Sequence, residues 1–118
     1  MTLMVNEIFF SIQGESSWAG LPFVFVRLTG CNLRCRYCDT RYAYEEGTPW
    51  EIETILERAE QLACSRVTIT GGEPLLQSGC PALVSRLIDR GFFVTMETNG
   101  SLDIGVVDRR CIKIMDIK

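Results

Sequence analysis

Three strand-forming runs, each closed by a polar or glycine-rich segment, constrain this chain more than any other feature. Residues 23–28 read Phe-Val-Phe-Val-Arg-Leu, a continuous apolar run with one arginine. Such a run predicts a strand buried on both faces, as in parallel sheets. Residues 66–70 (Arg-Val-Thr-Ile-Thr) end at Gly71 and Gly72, and residues 92–96 (Phe-Phe-Val-Thr-Met) end at Glu97-Thr98-Asn99-Gly100. Between them lie two helical patterns. Thr48, Pro49 and Glu51 read as N-cap, first helical position and capping box, and Ile52, Ile55, Leu56, Ala59, Leu62 and Ala63 give one apolar face. A second helix is predicted over residues 81–90, lined by Leu83, Val84, Leu87 and Ile88 and closed by Gly91. A short strand at 5–10 precedes the series and another at 111–117 follows it.

This order of strand, helix, strand, helix, strand, link, strand predicts an α/β fold with parallel strands. Ligands in such folds bind at the carboxyl ends of the strands. The segment after residue 28, the Gly71-Gly72-Glu73-Pro74 turn and the Glu97–Gly100 segment should therefore meet at one end of the sheet. About four parallel strands with two clear helices leave faces uncovered. The chain is expected to be a fragment, or to have a partner subunit cover what is missing.

The segment after the first of these runs carries Cys31, Cys35 and Cys38 in the pattern CxxxCxxC. Three thiolates on one tight loop can hold three irons of a cubane cluster, leaving the fourth iron without a protein ligand. An open metal position can take the amino and carboxylate groups of a small molecule. The alternative is zinc, which wants four ligands; the sequence has no second CxxC pair and no histidine. The remaining cysteines, Cys64, Cys80 and Cys111, are read as small apolar packing residues. The absence of histidine also removes the commonest general base.

Taken alone, Gly71-Gly72-Glu73-Pro74 is a turn whose glycines allow close backbone approach. One strand after CxxxCxxC, it resembles the GGEP motif of the radical SAM superfamily, as does the aromatic Tyr37 just before the last cysteine. The resemblance implies a partial (β/α) barrel of radical SAM type, apparently shortened at its C-terminus, with residues 1–118 as one core domain. It implies a 4Fe–4S cluster on Cys31, Cys35 and Cys38. It also implies S-adenosyl-L-methionine held near Tyr37, Cys38, Asp39, Gly71, Gly72, Glu73, Thr98, Asn99, Asp116 and Lys118.

The N-terminal segment narrows the resemblance. Glu7-Ile8-Phe9-Phe10-Ser11-Ile12-Gln13-Gly14-Glu15, with Gly20, Arg27 and Cys38-Asp39-Thr40, is similar to the 7-carboxy-7-deazaguanine synthases. Family members usually run well beyond this length. The likeness implies a lyase converting 6-carboxy-5,6,7,8-tetrahydropterin to 7-carboxy-7-deazaguanine with loss of ammonia, in queuosine biosynthesis. Substrate contacts would come from Ile12, Gln13, Gly14, Glu15, Arg27 and Thr70, with the backbone of 12–14 reaching the pterin edge. Thr40 would sit at a magnesium ion. Arg27 in an apolar strand needs a partner, and a bidentate carboxylate suits it. The residues leave open an internal pair with an Asp or Glu. An activating enzyme that installs a glycyl radical shares the cluster and cofactor motifs, but leaves the Gln-Gly-Glu loop and Arg27 unexplained. A non-catalytic iron–sulfur or zinc module leaves GGEP without a use.

Composition sets the surroundings. The 118 residues carry a formal net charge of −3, which argues against a nucleic-acid partner. No apolar stretch reaches the roughly 18 residues of a membrane span, and the N-terminus lacks a basic region before an apolar one, so the expected location is cytoplasmic. The expected partners are a small-molecule pterin, an electron donor such as flavodoxin or ferredoxin, and a second copy in a homodimer.

Overall fold

The computed structural model describes residues 2–13, 20–29, 47–71, 73–100 and 104–115. They form a six-stranded mixed sheet with two helices. The strands are β1 (Thr2–Ile12), β2 (Pro22–Leu28), β3 (Thr48–Glu51), β4 (Arg66–Gly71), β5 (Phe93–Thr98) and β6 (Ile112–Met115), and their order across the sheet is β3-β1-β2-β4-β5-β6. β2, β4, β5 and β6 run parallel, as the alternation of strand and helix requires. β1 is antiparallel to both its neighbours.

The helices are α1 (Ile52–Gln61) and α2 (Cys80–Asp89). Their apolar faces, Ile52, Ile55, Leu56 and Ala59 on α1 and Cys80, Leu83, Val84 and Leu87 on α2, are buried. They share one core with Leu3 and Val5 of β1, Val24, Val26 and Leu28 of β2, Val67 and Ile69 of β4, and Val94 and Met96 of β5. Because strand side chains alternate, the intervening residues Phe25, Arg27, Thr68, Thr70, Thr95 and Glu97 lie on the opposite, inner face. That face is not dry throughout. Phe25 and Arg27 are only half-buried, so β2 is sealed on its helix side and partly open on the other.

A bulge in β1 decides which of its residues join that inner face. The register advances from Val5↔Leu28 to Glu7↔Arg27, two residues on β1 for one on β2. Without it, Glu7 would share a face with Leu3 and Val5 and enter the core. With it, Ile8 packs against the core and Glu7 turns to the inner face beside Arg27.

Two boundaries differ from the sequence expectation. β1 spans eleven residues rather than six, because β3 pairs with its first half. Thr48, Pro49 and Glu51 belong to that edge strand and not to a helix cap. Thr48 Oγ1 donates to the carbonyl of Val5 at 3.3 Å, Thr2 Oγ1 donates to Glu51 Oε1 at 3.0 Å, and α1 starts at Ile52 with no side-chain cap. An edge strand tolerates Pro49, which has no N–H to donate. At the other end α1 stops at Gln61, and Ala63 takes a left-handed φ of 54° outside the helix.

Cys80 and Cys111 are buried in or against this core, and Cys64 is half-buried with its thiol directed at the carbonyls of Pro22 and Arg66. Burial pushes the Cys80 thiol up to about 12 and the Cys111 thiol up to about 11. All three are free thiols and match their reading as packing residues. No helix among the described residues is long and apolar enough to cross a membrane.

Candidate functional site

The carboxyl ends of β2, β4 and β5 lie side by side, as the parallel register dictates: Leu28 is opposite Gly71, and Ile69 is opposite Met96. The GGEP turn and the Thr98-Asn99 turn therefore meet, and Glu73 joins them. Glu73 is 1% exposed. Its carboxylate accepts from Thr98 Oγ1 at 2.8 Å, from the Asn99 amide at 2.8 Å and from the Leu75 amide at 3.0 Å. The last of these opens a one-turn 3-10 helix, Pro74–Leu76. A buried carboxylate needs such donors to offset its desolvation. The side chain of Glu73 is thus a brace between two strand ends.

At Gly71 an added Cβ would stand 2.8 Å from the Leu28 carbonyl oxygen, so the backbone there lies close against β2. Directly after β2 comes Thr29, the last described residue before the cysteine segment. Its hydroxyl is buried and has no hydrogen-bond partner among the described residues.

Below this rim, one row of polar side chains crosses the inner face. Arg27 stands between Glu7 on β1 and Thr70 on β4. Arg27 Nη1 contacts Glu7 Oε1 at 2.5 Å, and the guanidinium lies 5.4 Å from the ring centroid of Phe9, itself stacked on Phe25 at 5.1 Å. Thr70 Oγ1 donates to Glu97 Oε2 at 3.1 Å. The row reads acid, base, hydroxyl, acid. The internal pair left open for Arg27 is therefore present, with Glu7 as the acid. The Arg27 side chain remains 24% exposed.

A second row lies one step toward the amino ends. Gln13 is 3% exposed and its Nε2 donates to Thr68 Oγ1 at 3.2 Å, which in turn shares a 2.9 Å hydrogen bond with Thr95 Oγ1. The backbone of Gln13 is engaged elsewhere: its N–H donates to Leu21 O at 2.9 Å and its carbonyl accepts from Gly20 N–H at 2.8 Å. Gln13 reaches the inner face through its carboxamide. Ile12 is exposed, its main chain paired with β2 opposite Pro22.

The structure thus assembles Gln13, Arg27, Thr70, Gly71, Glu73, Thr98 and Asn99 at one end of one sheet. Gly14, Glu15, Cys31, Cys35, Tyr37, Cys38, Asp39, Thr40, Gly72, Asp116 and Lys118 lie outside the described residues. Sequence reading missed Glu7, Glu97, Thr68 and Thr95 as inner-face residues, and Gln77. Period-2 alternation from Thr70 would have found Thr68, and alternation against the apolar Val94 and Met96 would have found Thr95 and Glu97. Nothing local marks Glu7 or Gln77.

The pattern of the radical SAM superfamily matches residues 25–116. A 7-carboxy-7-deazaguanine synthase of Chlorobaculum tepidum is 53% identical over 116 residues, covering 98% of this chain and 53% of the relative. One of Hyperthermus butylicus is 46% identical over 118 residues, covering 98% of this chain and 50% of the relative. The chain spans about half the length of the curated relatives it matches. The crystal structure of QueE from Escherichia coli superimposes with a TM-score of 0.88 at 24% identity, over 99% of this chain and 60% of that one. That likeness bears out the expected fold class, an α/β fold of partial (β/α) barrel type with parallel strands, to which the structure adds the antiparallel β1 and β3.

Proposed function

This chain belongs to the radical SAM superfamily, and we propose that residues 1–118 form the core domain of a 7-carboxy-7-deazaguanine synthase. The proposed reaction converts 6-carboxy-5,6,7,8-tetrahydropterin to 7-carboxy-7-deazaguanine with loss of ammonia. The observation that carries it is the row of Glu7, Arg27, Thr70 and Glu97 on the inner face, directly below the GGEP turn.

The donor set fits the cofactors of the superfamily. Cys31, Cys35 and Cys38 supply three soft thiolates, the number a cubane cluster needs when one iron is to stay open. The orphaned Thr29 hydroxyl lies where that segment leaves β2. When bound, the cluster and S-adenosyl-L-methionine supply one-electron cleavage of a carbon–sulfur bond. The backbone at Gly71, Gly72 and Glu73 would hold the amino-acid end of the nucleotide. Thr98, Asn99, Tyr37, Asp39, Asp116 and Lys118 would surround the rest. Thr40 would sit at a magnesium ion.

The chain's own residues orient the pterin. A guanidinium presents a planar fork of five N–H donors and can hold carboxylates at more than one edge. Arg27 would take the substrate carboxylate while Glu7 and the Phe9 ring keep the fork in plane. Thr70 donates to Glu97, so its oxygen lone pairs remain to accept from a ring N–H. The backbone of Ile12, Gln13 and Gly14 would reach the pterin edge, with Glu15 beside it and the Gln13 carboxamide anchored on Thr68. Fixed donors and acceptors of this kind orient a flat polar ring. An electron donor of the flavodoxin or ferredoxin kind and a homodimeric assembly complete the proposal.

The test is anaerobic reconstitution with iron and sulfide, then assay with reductant, S-adenosyl-L-methionine and the pterin. The expected products are 5′-deoxyadenosine and the deazapurine. Arg27→Ala should lose the deazapurine and keep the cluster's EPR response to S-adenosyl-L-methionine. Normal turnover by that variant would refute carboxylate pairing at Arg27.

A further inference from the structure

Gln77 follows the 3-10 helix Pro74–Leu76, far in sequence from both β1 and β2, yet its carboxamide is set between them. Its Oε1 accepts from the Met4 amide at 2.7 Å, and its Nε2 donates to the Met4 carbonyl at 2.7 Å and to the Thr29 carbonyl at 2.8 Å. The Thr29 amide also donates to the Met4 carbonyl at 3.0 Å. In an undisturbed antiparallel rung, Met4 and Thr29 would exchange both their N–H···O bonds. Only one of the two is made. The carboxamide of Gln77 stands in the place of the other, accepting from Met4 and donating to Thr29. Two carbonyls on one side and an N–H on the other leave a single orientation of the amide that satisfies all three groups.

The consequence is a second brace, complementary to Glu73. Glu73 ties the GGEP turn to the end of β5, and Gln77 ties the same turn to the ends of β1 and β2. Thr29 is the residue from which the chain leaves for Cys31. We infer that Gln77 is a positioning residue, which sets the start of the cysteine segment relative to the turn carrying Gly71 and Glu73. Its carboxamide bonds are to the backbone of Met4 and Thr29. It acts by holding the two backbone segments that would carry them in one register. The inference adds a role to the proposed cofactor site and rests on that proposal only for the affinity it predicts.

The test compares wild type, Gln77→Leu and Gln77→Glu. Amide hydrogen exchange of the full chain without cofactors reads the brace directly. In Gln77→Leu, the amide of Met4 and the peptide containing Thr29 should exchange about tenfold faster, with α1, α2 and β5 unchanged. Unchanged exchange at Met4 and Thr29 would overturn the inference. So would a uniform acceleration through the helices, which would mark a merely structural residue. In reconstituted protein, Gln77→Leu should keep its iron content and its reduced-cluster EPR signal. The S-adenosyl-L-methionine concentration that shifts that signal should rise about tenfold; a change below about twofold would count against the brace. Gln77→Glu sets a carboxylate against two carbonyls and regains a donor only when protonated. Its nucleotide affinity should therefore recover as pH falls while that of wild type does not, and a pH-independent defect would contradict the geometry. If Gln77→Leu does not fold, the Gln77→Glu titration decides the matter. A wild-type protein that takes up no cluster would sink the family-based function and leave the exchange experiment standing.

Discussion

Replacing Glu73 probes the junction on which the candidate site depends. Its carboxylate is 1% exposed and receives three donors: the Thr98 hydroxyl, the Asn99 amide and the Leu75 amide. Glu73→Ala orphans all three at once. A buried donor without a partner costs about 1–3 kcal/mol. Water admitted to the vacated space would recover part of the sum, so the expected loss is about 3–5 kcal/mol, the range for breaking a buried charged network. Glu73→Gln should cost less, about 1.5–3 kcal/mol. Its carbonyl oxygen can still serve Asn99, and the Thr98 hydroxyl can rotate to accept. Its NH2 group then faces the Leu75 amide donor to donor. Urea unfolding with a common slope gives both values from the midpoints. Thr98→Val alone and combined with Glu73→Ala completes a double-mutant cycle, which should return a coupling of about 1–2 kcal/mol. A Glu73→Ala loss below about 1 kcal/mol, or additive single and double mutants, would show that desolvation cancels the bonds and that Glu73 is no brace.

Two further outcomes follow from the same packing. Gly71→Ala places a methyl group 2.8 Å from the Leu28 carbonyl, a backbone atom with little room to move. It should destabilise by about 1–3 kcal/mol, and urea unfolding at wild-type level would refute the close approach. The buried thiols set an alkaline limit. Cys80 is pushed up to about 12 and Cys111 to about 11, so between the ordinary thiol range and those values the unfolded chain loses protons that the folded chain keeps. Stability is therefore fully present below about pH 9 and should fall above it, by about 1.4 kcal/mol per pH unit for each thiol. Cys80→Ala should flatten that slope in pH-dependent unfolding; an identical slope would assign the loss to other groups.

Some of this molecule is legible residue by residue. The parallel strands and the two helices follow from local periodicity, and their boundaries agree within a few residues except where β3 intervenes. Residues 48–51 carry every local mark of a helix start. They become a strand because β1 offers Thr2 to Val5 as a partner, and no helix signal can register that offer. The placement of GGEP beside Thr98 and Asn99 was likewise readable, since parallel strands share one carboxyl end. The duties of the side chains were not. Gly71 lies close against the Leu28 carbonyl, and the Gln13 carboxamide is held by Thr68, contacts that no local pattern encodes.

By itself, the sequence determined what short-range order can encode: the period of each segment, the spacing of Cys31, Cys35 and Cys38, and the turns that follow the strands. Only the tertiary structure decided which distant groups meet. The bulge after Val5 turns Glu7 toward Arg27 instead of into the core. Glu73 reaches Thr98 and Asn99, and Gln77 reaches Met4 and Thr29, across 25 to 73 residues of chain. Such pairings depend on strand register, and a slip of one residue exchanges the two faces of a strand.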